Sequence, residues 1–117
     1  MKEDRNMSSI ARKAKDFKQT IKIDEQLLKD KYFPAAIEKI KAIVSIPSYS
    51  GTKTKDAPYG QGVKQVLHYA LDLAKSLGFK IYCDSNNKYG YVEYGQGQEI
   101  FAILGHLDVV PPGNLEE

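Results

Sequence analysis

Ile103-Leu104-Gly105-His106-Leu107-Asp108-Val109-Val110-Pro111 is an apolar run that carries a histidine and an aspartate two positions apart and ends at a proline. Side chains of a strand alternate between its two faces, so residues i and i+2 point the same way. The pattern predicts a buried strand whose C-terminal edge presents His106 and Asp108 on one face. Open α/β sheets place their sites at that edge. Pro111-Pro112-Gly113 would then turn the chain away and leave the edge open.

Working back from this strand, Glu99 to Leu104 reads as its main body, apolar enough for a central position in a sheet. Gly95-Gln96-Gly97 precedes it as a turn, and Tyr89 to Tyr94 as another strand. Asn86-Asn87 is a turn signal, and Phe79 to Asp84 alternates as a further strand. Val63, Val66, Leu67, Ala70, Leu73, Ala74 and Leu77 form the best helical stripe of the chain, and Gly78 stands where a left-handed C-cap glycine belongs. Ser48 to Gly62 reads as a long loop. Pro34 fits the first turn of a helix carrying Ile37, Ile40, Ile43 and Val44. Asp24 to Lys31 reads as an earlier helix with Leu27 and Leu28 inward, and Ile46-Pro47-Ser48 closes the helical region. The order of two helices followed by three strands predicts the opening of an α/β domain over residues 24–117. Residues 1–23 read as a flexible basic arm, with seven Lys/Arg in the first 22 residues against Glu3, Asp4 and Asp16.

Composition narrows the class. The 117 residues are 42% hydrophobic and 27% charged, ordinary for a globular protein. A net charge of +2 is too small to argue for nucleic acid. No apolar run approaches the roughly 18 residues of a membrane helix, and the N-terminus lacks the apolar core of a secretory signal. Cys83 is the only cysteine, which excludes an intramolecular disulfide and leads us to expect a cytoplasmic protein.

His106 and Asp108 are residue types that can serve a metal site. Neutral imidazole is a common zinc ligand, and a carboxylate beside it can orient the ring or bind metal itself. A single His-x-Asp also arises often by chance, and one histidine with one aspartate does not complete a zinc site, which takes at least three protein ligands. Spacing alone leaves both readings open. His68 reads as a boundary or surface histidine. Cys83 reads as an idle thiol without a CxxC partner, and Ser48 and Ser50 lack a recognisable base. Gly60-Gln61-Gly62 and Gly95-Gln96-Gly97 lack the third glycine of a dinucleotide fingerprint.

The neighbouring residues add a resemblance. Gly105-His106-Leu107-Asp108-Val109-Val110-Pro111 closely resembles the first metal-ligand motif of the zinc aminopeptidase-like metallopeptidases, a family that includes carnosinases, aminoacylases and bacterial dipeptidases. Ile43-Val44-Ser45-Ile46-Pro47-Ser48 is similar to the family's helix end and following loop. Ala57-Pro58-Tyr59-Gly60-Gln61-Gly62-Val63 resembles an entry motif of its Xaa-His dipeptidase (dipeptidase V) branch. Leu73 to Phe79 and Tyr89 to Gly95 also fit that branch, so the resemblance runs from about Ile37 to Gly113.

The resemblance implies the opening part of a zinc-aminopeptidase-like catalytic domain with an incomplete sheet. It implies that His106 ligates one ion of a two-zinc site and that Asp108, the catalytic aspartate of the motif, lies against it. The implied reaction is hydrolysis of a dipeptide amide bond by metal-activated water with a glutamate as general base. The family's bridging aspartate, Glu-Glu pair, later carboxylate and distant histidine have no counterpart up to Glu117. Glu116 and Glu117 lie too near His106 to be that pair and read as a solvated tail. We therefore expect a truncated fragment, inactive alone. The alternatives are one chain of a split peptidase completed by a separate C-terminal chain, or a non-enzymatic binding module. Self-association is expected as well, and neither nucleic acid nor membrane is an expected partner.

Overall fold

A computed structural model describes residues 22–114; the basic arm up to Ile21 and the Glu116-Glu117 tail lie outside the described residues. The chain divides into two compact units, Met1–Ile37 and Glu38–Glu117. The boundary falls within the first helix, α1, Glu25–Val44.

In the first unit, the Asp24 carboxylate accepts from the Leu27 amide at 2.9 Å, an N-cap that satisfies one of the free donors of α1's first turn. Gln26 Nε2 donates to Asp30 Oδ1 one turn later, at 2.8 Å. The two helices expected on either side of residue 32 are one. Pro34 lies inside α1, not in its first turn. Proline's fixed φ suits a helix; what it removes is one N–H donor. Asp30, four residues earlier, is exposed, so water can take up the carbonyl that this donor would have reached. Leu27 and Leu28, expected inward, are exposed, and α1 buries none of its residues.

The second unit holds the core. α1 ends as Ser45 Oγ donates to Ala42 O at 2.8 Å, and Ile46 turns inward just before Pro47. A loop then leads to α2, Gln61–Ser76, followed by β1, Lys80–Cys83, and β2, Gly90–Glu93. α2 packs on both strands. Its Val66 and Leu71 are buried, and so are Ile46 and Ala57 from the loop side. Gly62 lets this loop come close: a Cβ there would overlap the Pro47 carbonyl oxygen. The far end of α2 is closed as the sequence predicts. Gly78 takes φ +90°, its N–H reaches Lys75 O at 3.0 Å, and the Phe79 N–H reaches Ala74 O at 3.1 Å. These are the two bonds of a Schellman motif.

β1 and β2 form an antiparallel hairpin with Ile81 opposite Val92 and Tyr82 opposite Tyr91. The Tyr82 and Tyr91 rings stack with centroids 4.9 Å apart. The turn is built on Asp84, whose carboxylate accepts from the Asn86 and Lys88 amides, and on Asn87 at φ +57°.

The third strand is not formed. Glu99 to Leu104 carries no ladder bonds, and the described sheet has two strands, not three. Ile100, Phe101, Ile103 and Leu104 are 86–93% exposed. A strand exists only where a neighbour pairs with its backbone. No described residue does so here, and the apolar side chains have no second layer to cover them.

Candidate functional site

His106 and Asp108 meet, although not on a strand. They lie in an exposed, irregular segment instead of a buried strand edge. The expected central strand is absent, so its edge is absent too. What survives is the i, i+2 proximity. His106 Nδ1 stands 3.2 Å from Asp108 Oδ1 and 3.0 Å from the Asp108 carbonyl oxygen. A carbonyl oxygen can only accept, and so can an ionised carboxylate. Neutral imidazole therefore satisfies them with its proton on Nδ1, and the lone pair falls on Nε2. No described residue bonds to that nitrogen. The His106 side chain is 83% exposed, which leaves Nε2 open to solvent.

Ser48 holds the segment in place. Its hydroxyl donates to Leu107 O at 3.2 Å, and its carbonyl accepts from the Val109 amide at 3.2 Å. Ser48 is 1% exposed and is the buried polar residue of the described core. Sequence reasoning set Ser48 aside for want of a base and missed this role. The only signal for it was its place in the Ser45–Ser48 motif.

Around the pair lies a hollow of about 220 Å³. Gly105 to Asp108 form one wall, Val63, Val66 and Leu67 of α2 give an apolar wall, and Asn87 to Gly90 of the hairpin turn give a polar one. Asn87 is a second residue that the sequence reading took only as a turn signal. Its Nδ2 donates to Asp56 O at 2.7 Å, and its Oδ1 faces His68 Nε2 at 2.6 Å and accepts from the Cys83 thiol at 3.6 Å. One amide thus ties loop, α2 and hairpin together. His68 is an exposed histidine, and Cys83 is a half-buried free thiol.

Beside this network, Lys64 Nζ approaches Asp56 Oδ2 at 2.6 Å. The hydrogen bond from Lys64, then that from Thr54, and the Lys64 charge hold the Asp56 carboxyl below its usual range.

The residues present fit one imidazole ligand with its orienting carboxylate. Among the described residues, no three His, Cys, Asp or Glu side chains cluster as a metal would require. The arrangement can accept a proton or ligate through Nε2, with the ring steadied from behind.

The second unit is thus a piece of an α/β architecture with a His–Asp dyad beside a hollow. Comparison with known proteins gives it relatives. The chain is 39% identical over 80 residues to a Staphylococcus epidermidis protein named "Putative dipeptidase", a match over 67% of this chain and 17% of that protein. It is 33% identical over 85 residues to a Staphylococcus aureus protein of the same designation, and 36% identical over 80 residues to one from Staphylococcus saprophyticus. The chain is homologous to a part of these proteins and spans under a fifth of their length. No family model matches it. Among the described residues, no helix is long and apolar enough to cross a membrane.

Proposed function

We propose that this chain is part of the catalytic domain of a zinc-dependent dipeptidase, with His106 as one metal ligand and Asp108 as the residue that orients it. The observation that carries the reading is the His106–Asp108 contact, with Nδ1 turned to two acceptors and Nε2 left open. Homology to proteins named as dipeptidases supports it. Metal-ligating histidines commonly donate their other ring N–H to a carboxylate or backbone carbonyl, which fixes the tautomer and raises ligand basicity. Here one aspartate provides both acceptors.

Zinc, when bound, supplies the Lewis acidity that makes water nucleophilic toward an amide carbonyl at neutral pH. His106 would hold it through Nε2, and Asp108 would keep the ring from rotating away. Catalytic zinc takes three protein ligands, and the dyad supplies one. Among the described residues no further ligands cluster with it, and we expect the 117-residue polypeptide to be inactive by itself. The test is an assay of the purified polypeptide on several dipeptides with zinc, cobalt or manganese. No turnover is expected. Metal-dependent turnover that co-elutes with the polypeptide in gel filtration would refute this.

The bare apolar segment Ile100–Leu104 favours a second reading, in which a separate chain completes the sheet and the ligand set. Mixing the polypeptide with the remaining portion of the S. epidermidis relative tests it. Dipeptidase activity that disappears in His106→Ala is the expected result, and an inert mixture at saturating concentrations would dismiss the split arrangement.

A further inference from the structure

Residues 105–110 have no strand ladder to hold them, yet the His106–Asp108 contact requires a defined backbone on both sides of Asp108. The described bonds that provide it come from Ser48. The hydroxyl fixes the Leu107 carbonyl, and the Ser48 carbonyl fixes the Val109 amide. Asp108 lies between these two points. Its own carbonyl, 3.0 Å from His106 Nδ1, is set by the peptide plane that Val109 shares.

Ser48 is itself well placed to act as a fixed point. It is 1% exposed, its amide donates to Ile46 O at 2.7 Å, and the preceding Pro47 abuts α2 at Gly62. A buried hydroxyl needs a partner, and this one has spent its donor on the site segment. The loop and the dyad are far apart in sequence, 59 positions between Ser48 and Leu107, so the contact is tertiary and not a local turn.

We propose that Ser48 is a positioning residue. Through its hydroxyl and its carbonyl it clamps the backbone on either side of Asp108, holds the His106 ring in its Nδ1–H form and so presents the Nε2 lone pair outward. The use of that lone pair for a metal rests on the function proposed above; the clamp does not.

The experiment is NMR on the full 117-residue chain with ¹⁵N-labelled histidine, comparing wild type, Ser48→Ala and Ser48→Thr, with His106→Ala to assign the ring. In wild type the His106 ring nitrogens report the Nδ1–H tautomer. The Val109 amide exchanges about 10-fold or more slowly than an unbonded amide. Ser48→Ala removes the hydroxyl bond to Leu107 and keeps the carbonyl; held at one of its two points, the segment loosens, the ring moves toward a tautomer mixture and Val109 exchange speeds up while α2 amides stay protected. Ser48→Thr, which keeps the hydroxyl, restores both signatures. Unchanged ring shifts in Ser48→Ala overturn the clamp. So does an unprotected Val109 amide in wild type, a measurement that does not depend on any variant folding.

Zinc titration of the same proteins separates the two claims. Ser48→Ala is expected to weaken zinc binding about 10-fold, as loss of an outer-shell partner does, and His106→Ala to abolish it. Equal binding by wild type and Ser48→Ala, with loss in His106→Ala, refutes the clamp and leaves the metal reading intact. Binding that persists in His106→Ala removes the metal reading, and the ring shifts then decide the clamp alone.

Discussion

Asp56 and Lys64 illustrate what a surface pair does here. Lys64 donates to Asp56 at 2.6 Å, and this bond is the main reason that the carboxyl titrates below its ordinary value. A carboxyl depressed in the folded state stabilises it fully above the unfolded value of about 3.9 and stops doing so as pH falls through the folded one. The pair is open to water, so its effect is small and screened by salt. Asp56→Asn should therefore lower the melting temperature slightly at pH 7 and low salt. That difference should vanish near pH 2 and shrink in molar salt. A difference that persists at pH 2 would assign the effect to Thr54 or the loop and not to the ion pair. At the same scale, the meeting of His106 and Asp108 was readable, because a two-residue spacing brings side chains together in any extended backbone. Ser48 was not. Its bonds depend on a loop brought from 59 positions away, and nothing in the local composition announces them.

Among elements, α2 and the hairpin are legible because their determinants are local. The stripe from Val63 to Leu77, the glycine at its end and the alternation of Phe79 to Asp84 each encode their own geometry. α1 was divided wrongly at Pro34, since proline marks a helix start more often than an exposed interior position. The third strand failed for a different reason. The apolarity of Glu99 to Leu104 states what the segment would bury, but not whether anything is there to bury it. Amide exchange should show this directly. Ile100 to Leu104 should exchange at nearly the unfolded rate, while the paired amides of β1 and β2 stay protected. Protection of Phe101 or Ile103 would mean that the strand forms after all. The junction of α2 with the preceding loop is by contrast tight. Gly62→Ala must displace Pro47 or the first turn of α2, and overpacking of this kind costs about 1–3 kcal/mol. Urea unfolding followed by circular dichroism at 222 nm would reveal it, and an unchanged midpoint would show that the loop yields freely.

On the scale of the molecule, the balance of surfaces matters most. Ile46, Ala57, Val66 and Leu71 are the buried apolar residues of the described chain. Ile100, Phe101, Ile103 and Leu104 offer an apolar stretch to solvent, the kind of surface that associates. Sedimentation velocity of the 117-residue polypeptide should show mass increasing with concentration, and replacing Phe101 and Leu104 together by serine should suppress it. A monomer at every concentration, unfolding in one sharp transition, would contradict this. The bonds from Ser48 to Leu107 and Val109 also bear on time. Closing a long loop costs entropy before its contacts repay it, so a contact spanning half the chain forms after helices and hairpins have settled. During synthesis and refolding, the His106–Asp108 pair would then be the last part to gain its shape and the first to lose it under stress. Loss of the site would precede loss of the fold.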